Sequence, residues 1–433
     1  MRKLIFLALW GLLAVTTAAQ NSQNAQDVRE TLKKNLLKAG SNYYAYPEPV
    51  KSHTPAPEGK VPFYLSHYAR HGSRYLINSK EYERPYRTLQ KAARSGKLSQ
   101  KGIETLENLH LIAEEARGRY GELTPLGAIQ HQLIAQRMYD RFPGIFSDSA
   151  IIEAKSTVVI RCILSMQNEL LQLAKNNPQL KFKFDASEHD MYYMNHQDSA
   201  LYKKRFPKEM VTMYEDFCKK RAIHEQAMGR LFNDSAYAHD SVDTYNLNRQ
   251  LFKVASSVQG TNLRTKVNLY DLYTHDELFN NWEQWNAFWY LSFGCNPHNG
   301  SQQPFTQRYL LRKIIEEADS CIAVEKPGAT LRFGHETIVL PLTCLLGING
   351  FGREFHDLNQ LDLQGWINFE VFPMAANIQF VFYRKDLQDK DVLVKVLLNE
   401  NEATLPIATD CAPYYHWNDF RDYYLKKLES YKE

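Results

Sequence analysis

The sequence has little surplus charge of either sign. Its 52 lysines and arginines nearly balance 49 acidic residues, and the formal net charge is +3. Two of the positive charges, Arg2 and Lys3, precede the apolar run described next, so a chain without that segment carries about +1. A protein that binds nucleic acid would show a strong basic excess. The charge balance therefore argues against a nucleic-acid partner.

Long apolar runs are equally scarce. Leu4 to Val15 is too short for a comfortable membrane span, and it lies between Arg2, Lys3 and the small residues Thr17-Ala18-Ala19. This order is typical of a cleavable signal peptide. We therefore expect residues 1–19 to be a signal peptide. The mature protein is then exported, to a periplasm or the extracellular space, without stable membrane insertion.

Cysteine pairs and metal-ligand motifs are missing as well. None of the six cysteines belongs to a C-x-x-C pair, and although export permits disulfides, the sequence does not select a pairing. There is no H-E-x-x-H helix and no Cys/His spacing of a zinc site, so we expect no metal. No repeat or low-complexity segment interrupts the chain. Roughly 410 residues after the leader suffice for a large core and for two domains.

The strongest positive signal is the aromatic and apolar run from Phe63 to Ala69, followed at once by Arg70-His71-Gly72-Ser73-Arg74. The run predicts a buried strand. Because a loop with glycine follows this strand, the polar side chains of the loop are expected at the carboxyl edge of a sheet, where α/β folds bind ligands. Arginine offers bidentate donors to phosphate, and histidine offers a nucleophilic nitrogen. The loop therefore predicts a phosphate site.

At these residues the sequence resembles the histidine acid phosphatase branch of the histidine phosphatase superfamily. The run Arg70 to Tyr75 is most similar to the phytase-like multiple inositol polyphosphate phosphatases, where a tyrosine also follows the second arginine. Those proteins usually continue with proline, and this chain has Leu76. A second stretch, Leu123-Thr124-Pro125-Leu126-Gly127-Ala128-Ile129-Gln130, resembles the Leu-Thr-x-x-Gly-x-x-Gln helix of the family. Thr124 and Pro125 fit the N-cap and the first turn of that helix.

A third arginine follows the strand candidate Ile151 to Lys155. We expect the hydroxyls of Ser156-Thr157 to cap an apolar helix that carries Arg161 in its first turn. A cation there opposes the helix dipole unless it serves an anion. The alternative is a buried arginine paired with a carboxylate elsewhere. The pattern Ser-x-x-x-x-Arg-x-x-x-Ser resembles the third phosphate arginine of the family.

The second histidine of the resemblance is His335. It follows the predicted strand Ala329 to Gly334 and precedes an apolar helix. Acid phosphatases of this branch carry His-Asp here, whereas inositol polyphosphate phosphatases carry His-Ala-Glu. The spacing to Pro341 places Glu336 at the Asp position and Thr337 at the Glu position.

The resemblance implies a role for each of these residues. His71 is the nucleophile and Glu336 the acid. Arg70, Arg74 and Arg161 bind phosphate, and His335 assists both binding and catalysis.

The predicted fold is α/β, with a three-layer core whose sheet is mostly parallel and has helices on both faces. The resemblance implies a core of six strands, and the sequence places the last two at Asn377 to Tyr383 and Val392 to Leu398. The core is assigned to residues 20–178 and 325–433. After a strand at Leu180 to Phe184, helical periodicity dominates, so residues 179–324 are assigned to an inserted, mainly helical cap domain.

These features predict an exported phosphomonoesterase that works through a phosphohistidine, needs no cofactor, and acts on a small phosphorylated substrate. Inositol polyphosphates such as phytate come first, and a sugar-phosphate or broad-specificity acid phosphatase is the alternative. Two rivals belong to other classes. A metallohydrolase would use His67, His71 and His335, but a metal does not need three arginines. A non-catalytic binder of phosphorylated ligands would not need an acid at Glu336.

Overall fold

The computed structural model describes residues 28–49 and 52–432. The predicted signal peptide, residues 1–19, lies outside this range. Eight strands form one sheet. Their bounds are β1 Val61–Arg70, β2 Ile151–Ser156, β3 Lys181–Asp185, β4 Gly328–Gly334, β5 Asn377–Arg384, β6 Leu393–Leu398, β7 Asn401–Glu402 and β8 Tyr414–His416.

The sheet has the order β3-β2-β4-β1-β5-β6-β7, and β8 pairs with β6. Strands β3, β2, β4 and β1 are mutually parallel, whereas β5 is antiparallel to β1. Because β6 is antiparallel to β5, it runs in the same direction as β1. Five of the eight described strands thus share one direction. The six predicted strands are confirmed, and the short β7 and β8 extend them.

Helices connect and cover the strands. In chain order they are α1 28–34 (its described part), α2 Ser79–Arg94, α3 Gln100–Ala116, α4 Pro125–Arg141, α5 Ile160–Asn176, α6 Met191–Met194, α7 Ser199–Lys204, α8 Lys208–Lys220, α9 Glu225–Leu231, α10 Ser235–Ser241, α11 Thr244–Val258, α12 His275–Phe293, α13 Arg308–Ile322, α14 Glu336–Leu346, α15 Asn368–Val371 and α16 Trp417–Glu429. Thr124 caps α4, and Pro125 begins it, as the sequence predicts.

Both faces of the sheet are covered by helices. One face packs Tyr68 and Phe380 into an apolar cluster with α12, α13, α14 and α16. The other packs Leu65 and Ala69 against Ile134 of α4 and against α5. Buried β-strand residues on alternate sides thus produce the predicted three layers.

The chain between β3 and β4 is helical in its regular elements, from α6 to α13. Strand β3, at Lys181–Asp185, pairs with β2 and so belongs to the sheet, although the predicted cap begins at residue 179. Helices α2, α3, α9, α11 and α12 share a second apolar cluster with the segment Leu36–Tyr43. The division into core and cap domains stays a prediction. No helix among the described residues is long and apolar enough to cross a bilayer.

Candidate active site

Two neighbouring parallel strands end side by side at the site. In the β1–β4 register Arg70 lies opposite Gly334, and the next residue, His71, donates its backbone N–H to the Gly334 carbonyl at 2.9 Å. The side chains of His71 and His335 therefore meet at the carboxyl edge of the sheet, with ring centroids 5.7 Å apart. Crossover topology places ligand sites at this edge in α/β proteins.

His71 is buried and has its tautomer fixed by the backbone. Its Nδ1 lies 2.9 Å from the Gly72 carbonyl, which can only accept, so Nδ1 carries the hydrogen. Nε2 then holds the lone pair, has no hydrogen-bond partner, and lies 3.6 Å from Oε2 of Glu336. Burial lowers the pKa of His71 well below 6.5; Arg70 and Arg161 lower it further and Glu336 opposes them. The imidazole is therefore neutral, with the lone pair of Nε2 on the side of Glu336.

Arg70 is held rigidly beside it. Its Nη1 donates to the carbonyls of Asn42 at 2.7 Å and Phe372 at 2.9 Å, and its Nε lies 3.1 Å from Oε2 of Glu336. Burial lowers the pKa of Arg70 to about 10, so the group stays charged. Its Nη2 is buried without a hydrogen-bond acceptor.

Two further arginines show the same unfilled capacity. Arg74 donates through Nη1 to the Tyr75 carbonyl and faces the ring of Tyr43, and Arg161 lies in the first turn of α5. In both, Nε is buried without an acceptor. Buried charged donors without partners are rare in folded proteins and require an explanation. An anion is a ligand that would supply one, since it accepts hydrogen bonds from guanidinium groups.

Glu336 is the first residue of α14. Its Oε1 accepts from Nδ2 of Asn42 at 3.5 Å. Burial raises the pKa of Glu336, but the charges of Arg70 and Arg74 outweigh burial and lower it well below 4.5. The carboxylate is therefore ionised in the free pocket, and it serves as the local acceptor for Arg70.

His335 lies next to α5 and to the loop of residues 70–74. Burial lowers its pKa to about 4, and its Nε2 lies 3.3 Å from Oγ1 of Thr157 and 3.8 Å from Sγ of Cys162. The predicted hydroxyl cap of α5 is wrong. The N-cap is Val159, whose apolar side chain cannot cap the helix. The two hydroxyls bind elsewhere: Ser156 donates to the Thr157 carbonyl, and Thr157 contacts His335.

Helices α4 and α5 fix the loop from behind. The N–H of Gly72 donates to Oγ of Ser165 at 3.1 Å, and the N–H of Ser73 donates to Oε1 of Gln130 at 2.8 Å. A Cβ on Gly72 would lie 2.3 Å from the Gly127 carbonyl oxygen, so both glycines of the two motifs allow one close approach. One turn deeper, His131 and Glu169 pair at 2.7 Å, fully buried, which agrees with a structural role for His131.

A cleft of about 770 Å³ opens beside the pocket, and Asn42 and Tyr43 line both. One side carries basic residues of α2 and α11, and the other carries aromatic residues of α12. The basic lining residues are Lys80, Arg84, Arg249 and Lys253; the aromatic ones on α12 are Trp285, Phe288 and Trp289. A single acid, Glu81, is paired with Lys253. The sequence analysis did not predict the residues that line this cleft, or the contact between Asn42 and Glu336.

A second cavity, of about 430 Å³, is lined in part by Thr337, the residue after Glu336. Helices α7 and α12 and the segment before α7 line it, with His196, Asp198 and Arg205 among the polar residues. Asp198 lines this cavity together with Thr337, so it is the carboxylate to consider as a substitute for Glu336. It pairs with Arg308 at 2.6 Å, however, and it caps α7. Its pKa is lowered although burial raises it, because Leu201 and Arg308 hydrogen-bond to it. Glu336 is therefore the carboxylate in contact with His71.

Residues 68–399 match the family model of the histidine phosphatase superfamily (branch 2). The chain belongs to this superfamily. As a histidine phosphatase it is an enzyme that acts on phosphorylated substrates, in agreement with the arginine-lined pocket around His71.

Individual relatives are distant but cover most of the chain. A chicken (Gallus gallus) protein, multiple inositol polyphosphate phosphatase 1, is 22% identical over 411 residues, which make up 86% of this chain and 84% of that protein. The crystal structure of Bifidobacterium longum multiple inositol polyphosphate phosphatase superposes with a TM-score of 0.74 at 18% identity, covering 88% and 96% of the two chains. The crystal structure of the phytase from D. castellii superposes with a TM-score of 0.69 at 14% identity, covering 92% of this chain and 86% of that one. These likenesses show the shared fold.

Donor atoms of His71, His335 and Glu336 in this histidine phosphatase lie within 4.8 Å of one another, a spacing that a metal ion could span. The three arginines make the pocket unfavourable for a cation. His67, the third ligand of the metallohydrolase alternative, is not part of this group; it is buried and packs against Phe333. The geometry therefore favours an anion over a metal.

Proposed function

We propose that this chain is an exported phosphomonoesterase that hydrolyses inositol polyphosphates through a phosphohistidine on His71. One observation carries the proposal: Arg70, Arg74 and Arg161 each keep a buried donor without an acceptor, and their charges act on His71 or on Glu336 beside it. Positioned donors of this kind supply the electrostatic stabilisation on which phosphoryl transfer depends.

In the first step, Nε2 of His71 attacks phosphorus and the bond to the ester oxygen breaks. The three guanidinium groups and His335 hold the equatorial oxygens. The leaving alkoxide takes a proton from Glu336, because an alkoxide is too basic to leave unassisted. The products are the free alcohol, a phosphorylated His71 and the Glu336 carboxylate.

For this step Glu336 must first gain a proton that it lacks in the free pocket. The negative charge of a bound phosphate offsets the arginine charges that hold the pKa of Glu336 low, so binding raises that pKa. The phosphate also replaces the carboxylate as the acceptor for Arg70. We infer that substrate binding itself prepares Glu336 to act as the acid.

In the second step, water attacks the phosphorus of phosphohistidine. The Glu336 carboxylate takes a proton from that water, and His71 leaves as the neutral imidazole, with Nδ1 still donating its hydrogen to the Gly72 carbonyl. The cycle ends with inorganic phosphate, which is released, and a protonated Glu336, which can act as the acid in another turnover. One carboxylate thus serves as acid and then as base.

The cleft supports a substrate with several phosphates. Lys80, Arg84, Arg249 and Lys253 line it beside the pocket, where they can bind phosphates that are not being cleaved. The relatives point the same way: the chicken protein is an inositol polyphosphate phosphatase by name, and the Bifidobacterium longum fold has also been seen in a complex with inositol hexasulfate. Phytate is therefore the proposed substrate.

Export is proposed from the leader-like residues 1–19 alone. Fusing these residues to a reporter enzyme that is active only outside the cytoplasm tests it. Reporter activity equal to that of a fusion without the leader would overturn this part of the proposal and leave the chemistry untouched.

The function is tested by phosphate release from a panel containing phytate, glucose 6-phosphate and an aryl phosphate, with His71→Ala as the negative control. We expect the highest kcat/KM for phytate. Equal values across the panel would indicate a broad acid phosphatase, and a preference for glucose 6-phosphate would indicate a sugar phosphatase. Tight binding of phytate without release of phosphate from any substrate would indicate a binder and overturn the enzyme assignment.

A further inference from the structure

A group of side chains of the types that ligate metals lies at the other edge of the sheet. His416 ends β8 and pairs in register with Leu393, the first residue of β6. Because β6 runs in the direction of β1, Leu393 is at the amino edge, opposite the carboxyl edge where His71 and His335 lie. The group is therefore separate from the active site.

Three different ligand atoms converge there. Nε2 of His416 lies 3.0 Å from Oδ1 of Asp410 and 4.0 Å from Sγ of Cys411. The three donor atoms all fall within 4.8 Å of one another. Bonds of about 2.0–2.3 Å from one tetrahedral ion to nitrogen, oxygen and sulfur place the ligands at similar separations. Nitrogen, thiolate and carboxylate together suit Zn²⁺ rather than Mg²⁺ or Ca²⁺.

A fourth residue prepares His416 for this role. Nδ1 of His416 lies 2.5 Å from Oδ1 of Asp391. A carboxylate that accepts from one ring nitrogen fixes the tautomer that leaves the other nitrogen free for a metal, an arrangement common around metal-bound histidines. Asp391 is itself anchored, because its other oxygen accepts from Lys60 at 3.1 Å. The position of His416 is thus set by a partner outside the ligand group.

Charge distinguishes this group from the active site. Here Asp389 and Asp391 pair with one buried cation, Lys60, and Asp391 and Asp410 both pair with His416. The active site has three arginines and one carboxylate in contact with His71. A divalent cation is favoured at the acidic edge and disfavoured in the phosphate pocket. Cys411 is half-buried and not in a disulfide, and its Sγ lies 3.5 Å from the Tyr414 carbonyl and 3.4 Å from Oγ1 of Thr409. Asp410 is 85% exposed, so an ion can reach the group from solvent.

We propose that Asp410, Cys411 and His416 bind a zinc ion, with Asp391 as the residue that orients His416 and water in the remaining position. The ion links the turn before β8 to the last residue of that strand, and His416 in turn contacts Asp391, just before β6. Its effect is on the stability of this edge and not on phosphate release.

Cobalt is the spectroscopic probe for the site. The reduced full chain, freed of metal with a chelator that is then removed, is titrated anaerobically with Co²⁺ and afterwards with competing Zn²⁺. We expect one equivalent to give a thiolate-to-cobalt charge-transfer band and the visible bands of a tetrahedral ion, both abolished by Zn²⁺. Zinc should also raise the melting temperature of the chain.

Four variants locate the ion. Cys411→Ser should abolish the charge-transfer band, and Asp410→Asn, at an exposed side chain, should weaken binding without disturbing packing. Asp391→Asn should weaken binding by about 10- to 100-fold. Cys321→Ser, a matched control at another half-buried cysteine, should behave like the unaltered chain. Phosphatase activity should be the same in Cys411→Ser as in the unaltered chain.

Three results would overturn the proposal. The first is the absence of a thiolate band in the unaltered chain. The second is a band that survives Cys411→Ser, which would place the ion elsewhere, for example at Cys162 beside His335. The third is equal zinc affinity in the unaltered chain and in Asp410→Asn and Cys411→Ser. None of these results bears on the phosphatase assignment, which is tested by phosphate release.

Discussion

The phosphate pocket and the cleft beside it are both basic, but they are built differently. In the pocket, Arg70 and Arg74 are buried, and Arg70 is held by two backbone carbonyls. In the cleft, Lys80, Arg84 and Arg249 are exposed on helix surfaces. Buried charges are screened little by salt, whereas exposed charges are screened strongly. The pocket can therefore stabilise a transition state, and the cleft can select among substrates at a smaller energetic gain.

The largest effect is expected at His71. His71→Ala removes the attacking nitrogen, so phosphate release from every substrate should fall by at least about 10³-fold. Steady-state assays with phytate and an aryl phosphate measure this, and circular dichroism checks the fold. His110→Ala, at an exposed histidine, is the control. Substantial residual activity in a folded His71→Ala would place the nucleophile elsewhere.

Glu336 comes next, because its effect depends on the leaving group. Glu336→Gln should slow phosphorylation of the enzyme by about 10²- to 10⁴-fold with an alkyl phosphate, and much less with an aryl phosphate, whose oxygen leaves without a proton. Single-turnover kinetics separate this step from the hydrolysis of phosphohistidine. Glu122→Gln, at an exposed carboxylate, is the control. Equal losses with both substrates would rule out Glu336 as the acid.

Arg161 tests whether the pocket extends to α5. Arg161→Ala should reduce kcat/KM by about 10²- to 10³-fold and weaken inhibition by vanadate and phosphate to a similar extent. Arg117→Ala, at a largely exposed arginine, should change neither value. If inhibitor affinity is unchanged and only the melting temperature falls, then Arg161 is a structural arginine.

The cleft should give the smallest effects and the only strongly salt-dependent ones. The double variant Arg84→Ala with Arg249→Ala should raise KM for phytate about three- to tenfold at low salt and leave glucose 6-phosphate unaffected. The difference should shrink as salt is added. Lys219→Ala with Lys220→Ala, on an exposed part of α8, is the matched control. Equal losses for both substrates would show that the cleft does not select polyphosphates.

The lowered pKa values of the two histidines set the pH dependence. A histidine whose pKa lies below 6.5 stays neutral down to that lower value, so His71 remains a nucleophile in acid. His335, with a pKa of about 4, also stays neutral through pH 5. The acidic limb of kcat/KM should therefore lie well below pH 6.5. A limb near 6.5 would show that His71 has an ordinary pKa.

The sequence predicts the pocket better than the cleft, for a physical reason. His71 and His335 each follow a strand, and parallel neighbouring strands bring their carboxyl ends together, so local pattern and topology suffice. Asn42, by contrast, reaches Glu336 from a segment 294 residues away in sequence. The basic residues of α2 and α11 have the pattern of ordinary solvated helix surfaces. Only packing shows that these surfaces face the same cleft.

Local capping shows both success and failure. Thr124 caps α4 because its hydroxyl can reach the N–H of Gly127. Ser156 and Thr157 offer the same chemistry before α5, but their hydroxyls bind the Thr157 carbonyl and His335 instead. A nearby site competes for the same hydroxyl, and no local pattern reveals that competition.

The most direct test of the account is to identify the phosphorylated atom. Glu336→Gln, which should hydrolyse phosphohistidine slowly, is mixed with an aryl phosphate, quenched in base, and analysed by mass spectrometry and ³¹P NMR. The account predicts one phosphoryl group per chain on Nε2 of His71, absent when His71→Ala is added. A phosphoryl group on Ser73, on His335 or on Nδ1 of His71 would contradict it.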